Sequence, residues 1–173
     1  MMNGLRASVQ HISVFEGLCD DALMDIIRTC TIVRYTPGAM IYDKGDRPDA
    51  LYLVDRGTVR QLQVLPDGST EALCTMESGD ALGVLSFLAG TPRTCRAVAV
   101  SPCTLYRVDQ ERFNTLRANL HPSAYQFIRA LSKVLTNHLR EINQRIQTLQ
   151  EDPMGTIEYL RCRKGRVKRG EGP

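Results

Sequence analysis

The chain has 173 residues, 43% of them hydrophobic, and a formal net charge of +3. That size and content suit one domain with a core of its own, and no apolar run approaches the roughly 18 to 20 residues needed to cross a bilayer. Met1 to Gln10 carry no apolar signal-peptide stretch, so a cytoplasmic location without membrane contact is expected.

The first segment, 1–30, reads as helical: Asp20 and Asp21 can cap a run whose apolar positions Leu23, Ile26 and Ile27 share one face. From residue 31 the period changes. Short β-rich runs follow at Thr31 to Tyr35, Met40 to Tyr42, Leu51 to Val54, Val59 to Leu65, Glu71 to Met76, Arg96 to Val100 and Thr104 to Val108. Gly57, Gly68, Gly79 and Gly90 punctuate them at eleven-residue intervals, and Pro66-Asp67-Gly68 is a turn in which proline sets φ and glycine accepts a positive one. Residues 31–109 therefore predict an antiparallel sandwich, roll or barrel.

After Asp109 the period is helical again. Gln110 to Leu120 is a short helix that His121-Pro122 ends. Ser123 to Gln150 contains neither glycine nor proline, which predicts one helix about 40 Å long. Its apolar positions are Ile128, Leu131, Leu135, Leu139, Ile142, Ile146 and Leu149, and from Leu135 they repeat with heptad spacing. The stripe also fits a helix lying on the β domain, but the narrow seam among Arg140, Glu141, Asn143, Gln144, Arg145 and Gln147 favours a homodimer interface through all seven apolar residues. The tail, 151–173, is basic: residues 161–173 carry net +5 against −2 for the rest. It reads as a solvated tail with a non-specific, salt-dependent capacity for nucleic acid.

One stretch, 82–97, can carry chemistry. Gly83 opens a short amphipathic helical turn, Gly90-Thr91-Pro92 makes a turn, and Arg93 and Thr94 precede a new strand. Helix N-termini favour anions, glycine lets a ligand approach backbone, and arginine offers a phosphate a planar fork. Alone, Gly-Thr-Pro-Arg is also an ordinary surface turn.

The order of the pieces adds specificity. Leu82-Gly83-Val84-Leu85-Ser86 through Pro92-Arg93-Thr94 resembles the phosphate-binding cassette of cyclic-nucleotide-binding domains, whose usual form is near F-G-E-L-A-L-x-x-x-x-P-R-x-A. Pro37-Gly38 with Ile41 to Asp46, Leu51 to Gly57, and Glu77-Ser78-Gly79-Asp80 are similar to further motifs of the same domain. Over roughly residues 10–150 the chain resembles the sensor domains of the Crp/Fnr regulators.

The resemblance implies a mainly β fold with flanking helices: a double-stranded β-helix (jelly roll), then a short helix and a long dimerisation helix over 110–150. It implies that Arg93 pairs with a cyclic phosphate, that the backbone of Gly83, Val84, Leu85 and Ser86 donates to it, that Thr94 adds a hydroxyl, and that Arg140 and Asn143 reach the base. The ligand it implies is cAMP or cGMP, with no required cofactor. One departure is Val84, which stands where the family's glutamate accepts from the ribose 2′-OH; an unpaired buried hydroxyl costs about 1–3 kcal/mol.

Full-length regulators of that family add a helix-turn-helix domain; the 23 residues after Gln150 contain no such pair of helices, so no specific DNA binding is expected from this chain alone. The six cysteines form no C-x-x-C pair or zinc spacing and read as reduced thiols, and His11, His121 and His138 lie in no nucleophile or metal motif. Neither an enzyme nor a metal site is expected. Two readings stay open: a ligand-gated regulatory module in signal transduction or transcription regulation, or a protein-interaction dimer that has lost its ligand.

Overall fold

The computed structural model describes residues 9–151. A 3-10 turn at Ser13–Phe15 precedes helix α1 (Asp20–Arg28). Eight strands follow: β1 (Cys30–Tyr35), β2 (Met40–Tyr42), β3 (Ala50–Arg56), β4 (Val59–Val64), β5 (Thr70–Met76), β6 (Ala81–Leu82), β7 (Arg96–Ala99) and β8 (Cys103–Asp109). Helix α2 (Val84–Ala89) lies between β6 and β7, and α3 (Gln110–Ala118) and α4 (Pro122–Glu151) complete the described residues. The expected helix cap moves by one residue: Cys19 is the N-cap of α1, and Asp20 and Asp21 occupy its first turn, where carboxylates favour the helix dipole.

The strands form two four-stranded antiparallel sheets, ordered β1-β8-β3-β6 and β2-β7-β4-β5. This alternation between sheets is the expected jelly roll. Gly57, Gly68, Gly79 and Gly90 all take positive φ, which accounts for their role as turn points.

Strand β3 shows how the core is organised. Ala50 through Val54 are all buried, because β3 is covered on both faces. Leu51 and Leu53 join a cluster with α1, α3 and the start of α4, including Ile26, Phe113, Phe127 and Leu131. Ala50, Tyr52 and Val54 face the roll interior and meet Tyr42, Val59, Ala97 and Leu105. Phe87 of α2 packs on Phe113 of α3 with ring centroids 5.1 Å apart, and Phe113 meets Phe127 of α4 edge-on at 5.5 Å.

The chain divides into a compact unit ending at Leu135 and a second beginning at Thr136, a boundary inside α4. Burial divides the residues of the expected seam. Leu131 is fully buried in the protein's own core, and Ile128 and Leu135 pack against the same core. These three serve the intrachain core because the first half of α4 lies on the domain as an ordinary amphipathic helix does. In the second unit Leu139, Ile142 and Ile146 are exposed by 60%, 50% and 46%. The Leu149 side chain and the basic tail lie outside the described residues.

Candidate ligand-binding site

The site is built where β6 hands over to α2. Gly83 is the N-cap of α2 with φ of +74°, and a Cβ there would collide with the Arg93 guanidinium. Gly90, also left-handed, closes the helix, and the Ser86 hydroxyl donates to the Pro92 carbonyl at 3.1 Å, folding the following turn back onto it. The first N–H groups of α2 have no intrahelical acceptor. Gly83→Ala is expected to destabilise the protein by about 1–3 kcal/mol, from left-handed backbone and displacement of the arginine. A thermal melt that matches wild type would count against this packing.

Arg93 is the centre of the arrangement. Its side chain is 1% exposed. Nη1 donates to the Gly83 carbonyl at 3.3 Å, and Nη2 donates to the Ala50 carbonyl and lies 3.5 Å from Asp49. The guanidinium lies over the Tyr42 ring, 4.5 Å from its centroid, a cation–π contact inside the roll. Nε is buried with no partner. The backbone is fixed as well: Arg93 N–H donates to the Asp46 carbonyl at 2.9 Å, and Gly45 N–H donates to the Arg93 carbonyl at 2.8 Å.

Sequence reasoning missed what surrounds it. Asp49 is shared: its second oxygen accepts from Arg107 at 2.8 Å, and Arg107 also donates to Asp109 at 2.9 Å. Arg107 pairs with Thr31 and Tyr52 across β8 and so shares the inward face of Leu105. Burial opposes its charge, but hydrogen bonds to Asp49, Asp109 and Tyr52 outweigh this and push its pKa up. Burial raises the phenol of Tyr42, and raises that of Tyr35 to about 12, so both are neutral near pH 7. The signal available was an arginine at an inward position of a strand and three tyrosines, 35, 42 and 52, in strands of one roll.

Asp109 joins this network to α3. As N-cap it accepts from Glu111 N–H at 3.1 Å and Arg112 N–H at 3.0 Å. The backbone donor of Arg112, then Arg107, hold its carboxyl below the usual range. A depressed carboxylate contributes stability above its unfolded pKa and loses it as pH falls through the folded value. Asp109→Ala should therefore cost about 0.5–2 kcal/mol at pH 7, with the gap to wild type narrowing in melts below about pH 4.

Of the expected site residues, the structure brings Gly83 and Arg93 into contact, with the Ser86 hydroxyl behind the turn. Thr94 is exposed, with its hydroxyl on the Cys95 thiol. Leu85 is 53% exposed, whereas Val84 is 4% exposed and packs in the helical cluster with Phe87. Arg140 and Asn143 are exposed and lie in the second unit. Cys19, Cys30, Cys95 and Cys103 are free thiols, and among the described residues no group of His, Cys, Asp and Glu could hold a metal ion. No described helix is long and apolar enough to cross a membrane. The buried Arg93 guanidinium keeps one donor, Nε, unmatched, and the Val84 side chain carries no hydrogen-bond acceptor.

The jelly roll thus carries a buried arginine behind a glycine-opened helical turn. The sequence profile of the cyclic nucleotide-binding domain matches residues 32–119, and the chain belongs to that family. It is 33% identical over 137 residues to Glutaminase 1 of Bradyrhizobium diazoefficiens, covering 79% of this chain and 21% of that protein. It is 25% identical over 136 residues to the CRP-like cAMP-activated global transcriptional regulator of Mycobacterium tuberculosis, covering 79% of this chain and 59% of that one. Among solved structures, the Thermus thermophilus catabolite activator protein superposes with a TM-score of 0.67 at 27% identity, covering 80% of this chain and 63% of that chain. The chain thus spans about a fifth to three fifths of the length of these relatives.

Proposed function

We propose that this chain is a ligand-gated regulatory module of signal transduction or transcription regulation, in which a cyclic nucleotide sets its phosphate against Arg93. The observation that carries this reading is the buried guanidinium with its unpartnered Nε, held behind Gly83. The cAMP-activated mycobacterial relative supports cAMP as the first ligand to try, with cGMP second. The module binds rather than catalyses. Thr94 and the first N–H groups of α2 complete the phosphate contacts.

Coupling follows the aromatic chain Phe87–Phe113–Phe127, which links α2 through α3 to α4, supported by Gln110 Nε2 donating to the Phe87 carbonyl at 3.4 Å. The module acts in the cytoplasm. Isothermal titration calorimetry with cAMP and cGMP tests the function; no heat and no thermal shift at millimolar ligand would overturn it for both.

A second part of the reading is a homodimer through Leu139, Ile142 and Ile146, which are apolar, exposed and heptad-spaced. Leu139→Asp is expected to shift the protein to monomer in light scattering. A wild type already monomeric at high concentration, with the variant unchanged, would sink the seam. Val84 favours an alternative in which the roll has lost its ligand and only the dimer remains; calorimetry separates the two.

A further inference from the structure

From Ala81 to Val108 the chain contains no aspartate or glutamate, so the cassette and the residues after it, as far as Val108, carry no carboxylate. The carboxylates of the loop below are engaged. Asp43 accepts two bonds from Arg96 at 2.9 and 2.6 Å, Asp46 accepts from Asp43 N–H at 2.7 Å, and Asp49 is shared by Arg93 and Arg107. Asp80, just before the cassette, accepts from Glu77 N–H at 2.8 Å. Val84 turns its side chain into the helical cluster, and the exposed Leu85 is apolar. The Tyr42 hydroxyl accepts from Gln61, and the Ser86 hydroxyl is committed to Pro92. What the site offers a ligand is donors, foremost the unpartnered Nε of the 1% exposed Arg93 side chain.

A site rejects an analogue lacking a hydroxyl when the analogue leaves one of the site's own polar groups unpaired. Here no carboxylate is left unpaired when the hydroxyl is absent. We propose that this site reads the phosphate of its ligand and offers the neighbouring sugar hydroxyl no carboxylate acceptor, so that 2′-deoxy cyclic nucleotides bind at least as tightly as the ribose forms. The proposal rests on the reading of Arg93 as the phosphate contact, and it names the ligand class more widely than a cyclic ribonucleotide.

The test is calorimetry on the full chain with cAMP and 2′-deoxy-cAMP. The expected result is a dissociation constant for the deoxy form within about threefold of that for cAMP, or tighter, as for a hydroxyl no protein group reads. A preference for cAMP of about tenfold or more over the deoxy analogue would overturn the proposal and leave Arg93 as the phosphate contact. Absence of heat with both would overturn both readings together.

Discussion

Replacing Arg93 with glutamine is expected to weaken cAMP binding by about 30- to 1,000-fold, the equivalent of about 2–4 kcal/mol for losing one member of a buried charged pair. The residue is also structural, because its guanidinium meets the Gly83 and Ala50 carbonyls, Asp49 and the Tyr42 ring. Removal leaves the Ala50 carbonyl without that donor, at a cost of about 1–3 kcal/mol. Calorimetry and thermal melts are therefore read together. Arg93→Lys separates the roles, since it keeps the charge and loses the planar fork: it should recover part of the affinity while Arg93→Gln recovers none. Wild-type affinity in a folded Arg93→Gln protein would remove Arg93 from the binding site.

The second large effect is expected at Phe113. It is fully buried between Phe87 and Phe127, so Phe113→Ala opens a cavity where three helices meet. Large-to-small changes of this kind cost about 3–5 kcal/mol, and a chain of this size loses about 2–4 °C per kcal/mol. Phe113→Leu fills most of the space and keeps the fold, but it removes both ring contacts. In that variant nucleotide affinity should stay near wild type, while the ligand-induced change in hydrogen exchange at α4 residues 124–131 is lost. An unchanged exchange response would break the proposed path through the rings.

The architecture was legible because its determinants are local. Alternation and turn glycines mark seven of the eight strands, and each of those seven lies within two residues of its expected bounds. The eighth, β6, is only Ala81–Leu82, too short for any period to register. Gly83 and Arg93 were singled out by the order of the motifs, and the fold brings the two into contact. Asp49, Arg107 and Tyr42 were not, because their roles come from pairing across the roll: Arg107 is 58 residues from Asp49. Val84 shows the limit of reading by position. Matched by order, it stands at a ligand contact; in the fold its isopropyl group belongs to the helical core. The apolar stripe of α4 read as one seam, yet burial places Ile128, Leu131 and Leu135 with the protein's own core and leaves Leu139, Ile142 and Ile146 exposed.

The loop at 43–49 grips Arg93 from both its backbone and its side chain: through the Asp46 carbonyl and Gly45 N–H on the main chain, and through Asp49 on the guanidinium. The Asp49 carbonyl also accepts from Gln110 N–H at 3.0 Å, at the first residue of α3. Its length is thereby fixed. One added residue displaces the chain by about 3.5 Å, more than a hydrogen bond tolerates. The β4–β5 hairpin tip at Pro66-Asp67-Gly68 is exposed and closed mainly by bonds within the turn itself, so extra chain there costs little beyond loop entropy. For protein engineering the two loops form a matched pair: a fluorescent reporter spliced into the hairpin tip leaves the arginine clamp closed, and the same splice at 43–49 opens it.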